Sequence, residues 1–130
     1  MASRIPPRPM HQPIQRRPRV ESGSHLDFIR SLPCLICGAQ AEAAHIRMSA
    51  AHVGKINPGV GARSDDAWTV PLCPDHHRNG PQSQHGVGDE AAWWKSHGID
   101  PLLIALALWK ASGDYEIGQG IIWMNRRGAA

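Results

Sequence analysis

Long apolar runs are absent from this chain. Nowhere do about eighteen apolar residues follow one another, and prolines break the N-terminal stretch where a signal peptide would need continuity. The expected location is therefore the cytoplasm. Cysteine is also scarce: there are three, an odd number, two of them in a C-x2-C pair. That count suits thiolates binding metal in a reduced compartment better than a disulfide framework. Aromatic residues make up 5% of the sequence, so a core built here is small. No large excess of either charge exists. The formal net charge of +3, with eight histidines counted neutral, permits a polyanionic partner without demanding one.

What the sequence does contain is organised around Val70 to His85, VPLCPDHHRNGPQSQH, which holds one cysteine, two adjacent histidines and a third histidine beyond an Asn-Gly-Pro break. An upstream fragment, Cys34-Leu-Ile-Cys37 followed by Ala44-His45-Ile46-Arg47, offers the complementary half of a metal site. At 130 residues the chain allows one small domain, divided here into an arm (1–23), a central domain (24–112) and a C-terminal extension (113–130). In the arm, Arg4, Arg8, Arg16, Arg17 and Arg19 are interleaved with five prolines. Such a segment buries too little apolar surface to offset its ordering entropy, and it is expected to be disordered, either as a solubilising tail or as a source of phosphate contacts.

Folding is expected to start near Ser24 or His25, where Leu26, Phe28 and Leu32 recur at helical spacing up to Pro33. Cys34-x2-Cys37-Gly38 has the form of a knuckle whose two thiolates face one ion, with the glycine permitting a tight turn. Cys73-x2-His76 repeats the spacing downstream and completes a Cys3His set suited to structural Zn2+. For so small a core, that cross-link can contribute about 10 kcal/mol or more of folding free energy. Between the knuckles, Ala41–Ile46 and Trp68–Leu72 read as two strands that pair antiparallel, separated by a glycine-rich loop. A helix then opens at Pro74, since proline suits a first helical turn. Within it His76 and His77 point about 100° apart, so one can close the zinc site while its neighbour faces a different ion.

Taken in order, Cys34-x2-Cys37, Ala44-His45-Ile46-Arg47, Asp65 through Cys73 and Cys73-x2-His76-His77 resemble the HNH endonucleases, whose ββα-metal fold wraps a strand pair and a helix around one divalent ion. Continuing through Gly80–His85 and Trp93-Trp94-x2-His97-Gly98, the pattern is similar to the phage recombination enhancement function nucleases, which depend on RecA. The resemblance implies an α+β fold with a small ββα-metal core, the Cys3His structural zinc and flanking C-terminal helices. It also implies phosphodiester hydrolysis of DNA in phage or prophage recombination, with a RecA-type recombinase filament as a further partner. His45 falls at the general-base position and His77 at the metal-binding position of the helix. His85 is the expected second ligand of a catalytic Mg2+, Mn2+ or transition-metal ion, presented after Asn79-Gly80-Pro81 ends the helix.

The chain departs from the family pattern at two places. The residue before the base, a ligand in many such sites, is Ala44, and the family's asparagine has no counterpart. Water and phosphate then fill more of the metal's positions, unless Asp66 or His52 substitutes. Arg47, Arg63 and Arg78 flank the expected site and are candidates for phosphate contact. His52 reads as a solvated loop residue, and His97 as an imidazolium favoured by a helix C-terminus. His11 and His25 carry no signal.

Two further helices follow, one opened by Asp89-Glu90 and closed at Gly98, the other capped by Asp100-Pro101. The second is apolar nearly all round through Leu102, Leu103, Ile104, Leu106, Leu108 and Trp109. It is expected to pack across the core's outer face, with a homodimer as the rival arrangement. Residues 114–130 read as a strand or an extended arm. Two functions remain in play: a DNA endonuclease working through His45, and a catalytically inactive zinc-stabilised module that binds nucleic acid or protein.

Overall fold

The computed structural model describes residues 20–48 and 65–126. The basic arm up to Arg19, the glycine-rich loop with His52 and Arg63, and the last four residues lie outside the described residues. What is described is a small α+β fold of five helices and one two-stranded sheet.

Helix α1 (Gly23–Arg30) starts at Ser22, whose side chain accepts from the His25 backbone N–H. The chain ahead of it is already part of the fold. Val20 N donates to Asp65 Oδ1 at 2.9 Å, Ser22 N donates to Asp66 Oδ2 at 2.8 Å, and Asp66 N donates to Val20 O at 2.9 Å. After the knuckle, strand β1 (Glu42–His45) pairs antiparallel with β2 (Thr69–Leu72) in the register Glu42↔Leu72, Ala44↔Val70 and His45↔Thr69. All of β2 is buried, while in β1 only Ala44 is. Side chains alternate along a strand, so Ala43 and His45 share the face opposite Ala44. Any metal ligand at position 44 would point into the core, which is why an alanine there is compatible with this sheet.

Helix α2 (Pro74–His77) is a single turn with Cys73 as its N-cap. Helices α3 (Glu90–Ser96), α4 (Pro101–Lys110) and α5 (Tyr115–Asn125) each begin at an aspartate whose carboxylate accepts backbone N–H groups of the first turn: Asp89, Asp100 and Asp114. Helix α1 packs across both strands, and α4 packs on β2 and on α5. The core joins Ile29, Leu35, Ile46, Val70, Trp94 and Leu108.

The C-terminal segment is a helix, not the strand or arm expected from its sequence. Asp114 supplies the cap and Glu116 an acidic first turn, and Gly118 allows α5 to lie against α1, since a Cβ there would sit 2.7 Å from Phe28 Cζ. Two glycines in six residues hid the helical period. At the far end of α5, the Arg126 guanidinium occupies the space into which a side chain at Gly38 would project, so the last helix covers the knuckle turn. Most exposed large hydrophobics among the described residues lie on α4 and near or on α5, including Leu103, Ile117, Trp123 and Met124.

His25 is a core residue that its sequence context concealed. It is 1% exposed, its Nδ1 lies 2.7 Å from Ser112 Oγ, and its ring meets Trp109 edge-on. Burial pushes its pKa down, only partly opposed by the Asp66 charge.

Two measurements follow. In urea unfolding, Gly118→Leu should cost about 1–3 kcal/mol through overpacking against Phe28 and Leu32, whereas Gly120→Ala, with open space around its Cβ, should gain up to about 1 kcal/mol. Because the folded state holds His25 below its unfolded pKa of 6.5, its contribution is fully present above that pH and is lost as pH falls below it. His25→Leu should therefore flatten the decline in unfolding free energy on acidification, and an unchanged pH slope would refute this.

Candidate metal centre and histidine cleft

The knuckle forms because local backbone geometry leaves it little choice. Gly38 has φ of +81°, Gly38 N donates to Cys34 O at 2.8 Å, and Cys34 N donates to Ala39 O at 2.8 Å. Leu35 N then donates to Pro71 O at 2.9 Å, fastening the turn to β2. This brings Cys34 and Cys37 against Cys73 and His76 at the start of α2, with all four ligand atoms within 4.8 Å of one another. The Cys37 and Cys73 sulfurs are 3.6 Å apart, and His76 Nδ1 lies 3.1 Å from Cys73 Sγ and 3.9 Å from Cys34 Sγ. Ligands bound at about 2.0–2.3 Å to one tetrahedral ion lie about 3.3–3.8 Å apart, so the set fits a metal with little adjustment.

The electrostatics agree with a cation at this position. Burial raises the Cys34 thiol, but the backbone N–H groups of Cys37, Cys73 and Ile36 outweigh it and bring its pKa down. Burial, together with the neighbouring cysteines, pushes Cys73 up to about 11. Without a cation, gathered thiols cannot all ionise; a bound ion removes that conflict. The four residues Cys34, Cys37, Cys73 and His76 can thus hold a structural metal ion.

His77, the next residue, faces elsewhere, as the helical offset requires. Its Nδ1 lies 2.8 Å from Glu42 Oε1. The Arg78 guanidinium, bound to both oxygens of Glu42, lowers that carboxyl to about 2, with His77 adding to the effect. An ionised carboxylate only accepts, so His77 donates from Nδ1. The ring of His85 stands 4.5 Å from that of His77, nearly edge-on. A backbone ladder delivers it there: Gln84 N donates to His76 O at 2.8 Å and His85 N to His77 O at 3.1 Å. Burial and then the nearby His77 charge hold His85 below its ordinary pKa.

His77, His85, His45 and Arg47 line one cleft of about 290 Å3, with Arg30 from α1 on its rim. His45 Nε2 lies 2.8 Å from Asp66 Oδ1. The end of β1 is braced from α3: Glu90 accepts from Arg47 N at 3.0 Å, and Gln84 Nε2 reaches both His45 O at 3.3 Å and Glu90 at 2.9 Å. Arg78 is turned to Glu42 and does not line the cleft, while Arg63 and His52 lie outside the described residues.

Several contributors were not singled out from sequence. Glu42 sits three residues ahead of His45, at the start of the strand, and nothing in its spacing marked it as the partner of His77. Gln84 and Glu90 brace the cleft through long-range contacts that no local pattern announces. Arg30 carries the ordinary signature of a basic residue in a helix's last turn. His97 differs from expectation: it is the C-cap of α3, but its ring is packed 4.5 Å from Trp93 and near His76. Burial, followed by the His76 charge, lowers its pKa, which opposes the imidazolium that the helix dipole would favour. It borders a second, larger cavity of about 490 Å3 with His76 and Trp93, on which none of the cleft's histidines opens.

A family profile described as Protein of unknown function (DUF968) matches residues 4–114, most of the chain. No curated protein matches the chain, and no solved structure does. Among the described residues, no helix is long and apolar enough to cross a membrane.

Chelation should lower the melting temperature sharply and re-addition of metal should restore it. Cys37→Ala should release the ion or unfold the domain, a loss of several kcal/mol given the about 10 kcal/mol such ions can supply. Equal melting curves with and without chelator, from protein carrying metal, would show that the cluster is not structural.

Proposed function

The chain belongs to the DUF968 family, and we propose that it is a metal-dependent DNA endonuclease of the HNH kind. The strand pair followed directly by a one-turn helix is the element order of a ββα-metal core. The observation that carries the reading is the convergence of His45, His77 and His85 with Arg47 in a single cleft, beside but separate from the Cys3His cluster. We assign Zn2+ to that cluster, because three thiolates and an imidazole in tetrahedral reach match its preference.

In this reading His45 is the general base. A neutral imidazole takes a proton from water as the water oxygen bonds to phosphorus. The bond from phosphorus to the 3′ oxygen then breaks, and that oxygen takes a proton from solvent. His77 and His85 are the residues that would hold a divalent ion, Mg2+, Mn2+ or a transition metal, whose contribution is to neutralise charge on the phosphate and the departing oxygen. Glu42 fits this role for His77, because a carboxylate on one ring nitrogen is the usual companion of a metal on the other. Arg47 and Arg30 supply positive charge where a phosphate would sit.

One observation favours the rival, a zinc-stabilised binding module without catalysis. Among the described residues, the Cys3His set is the sole group of three or more such side chains within reach of one ion, so His77 and His85 have no third protein ligand there. Water and substrate phosphate complete the coordination in the nuclease reading.

Nicking of supercoiled plasmid decides between them, run with Mg2+, Mn2+ or Ni2+, with chelator, and with RecA filaments on single-stranded DNA. The wild type should cleave only with added metal, and His45→Ala should lose about 100-fold or more of that activity while keeping its fold and bound zinc. Folded, zinc-loaded wild type that cleaves under none of these conditions would leave the binding module as the function.

A further inference from the structure

Asp66 is a carboxylate with 2% exposure paired with the cleft's His45, and the expected pattern gave it no role beyond a substitute metal ligand. Its surroundings are unusually determined. Oδ1 lies 2.8 Å from His45 Nε2, and Oδ2 accepts from Ser22 N at 2.8 Å. The Asp66 backbone is held as well: its N–H donates to Val20 O at 2.9 Å, and its carbonyl accepts from Thr69 Oγ1, a buried hydroxyl, at 2.8 Å. Both carboxylate oxygens are thus committed to N–H partners within the chain, an arrangement that fits a group fixed in one place better than one that binds metal.

We propose that Asp66 is the positioning residue for His45, selecting the tautomer in which Nε2 carries the proton and Nδ1 is the basic nitrogen. The inference rests on the nuclease reading for its kinetic consequence, but not for its chemistry. A carboxylate only accepts, and with Oδ2 already accepting from Ser22 N, the His45 nitrogen that faces Oδ1 is the donor. With Nε2 so engaged, the ring cannot turn about its bond to present the wrong nitrogen without breaking a charged hydrogen bond. When Nδ1 takes a proton from water, the resulting imidazolium is stabilised by the carboxylate, which itself stays ionised. The same carboxylate anchors the chain just before α1, so the N-terminal segment and the base share one fixed point.

The alternative role for Asp66 is purely architectural, holding residues 20–22. Asp65 supplies the control, since its Oδ1 accepts from Val20 N at 2.9 Å and so anchors the same segment. The experiment compares Asp66→Asn, Asp65→Asn and wild type by plasmid cleavage and by nitrogen-15 NMR of the histidine rings in the intact protein. Asp66→Asn should lower kcat at least about tenfold, a part of the about 100-fold to 10,000-fold that a general base contributes, with KM nearly unchanged, and Asp65→Asn should leave kcat as it was. In the wild type, His45 should show the Nε2–H tautomer, a measurement that needs no substituted protein and stands if Asp66→Asn fails to fold. A wild-type His45 in the Nδ1–H tautomer overturns the inference, and so does a wild-type kcat in Asp66→Asn. If the wild type does not cleave at all, the nuclease reading fails and the kinetic role fails with it, while the tautomer still reports on the pairing itself.

Discussion

The meeting of Cys34 and Cys37 with Cys73 and His76 is the constraint on which the rest of this structure depends. It joins a turn ahead of the sheet to the single helical turn that follows it, so the start of β1 and the end of β2, which lie side by side, are held by one cluster. Two strands of four residues do not stabilise themselves. Here they are packed against α1 and α4 and closed at one end by the Cys3His cluster in place of a larger core. Even the C-terminal helix is arranged around this point, with Arg126 filling the space that Gly38 leaves.

The cleft inherits its order from that cluster. Because His76 belongs to the metal set, His77 is turned toward the sheet, where Glu42 receives it. The ladder from His76 and His77 carbonyls to Gln84 and His85 then returns the chain so that a second imidazole meets the first. His45 arrives from the other side, at the end of β1. Two of the cleft's histidines, His45 and His77, each have one ring nitrogen on a carboxylate, Asp66 and Glu42 respectively.

Much of this was legible in the sequence because it depends on short-range rules. The C-x2-C and C-x2-H spacings, the proline opening α2 and the 100° offset between adjacent helical residues are local, and they located the metal set and separated His76 from His77. The residues that hold the histidines in place were not legible. Glu42, Asp66 and Glu90 reach partners 21 to 43 positions away, and no periodicity records such a pairing. Helix α5 was obscured for a different reason: Gly118 and Gly120 are poor helix formers, and the first is required by Phe28 rather than by the helix itself. His25 was passed over because it stands beside a proline-rich arm, although its burial is decided by Trp109 and Ser112, far along the chain.

The alternation along β1 has a consequence for how the molecule can fail. A slip of one residue in the pairing of β1 with β2 would turn His45 into the core and push Ala44 out toward the cleft. Such a form would have to bury an imidazole, parted from the Asp66 carboxylate, where a methyl group now sits. Correct folding and correct presentation of the histidine are therefore one event, and an error in either is removed by the same selection.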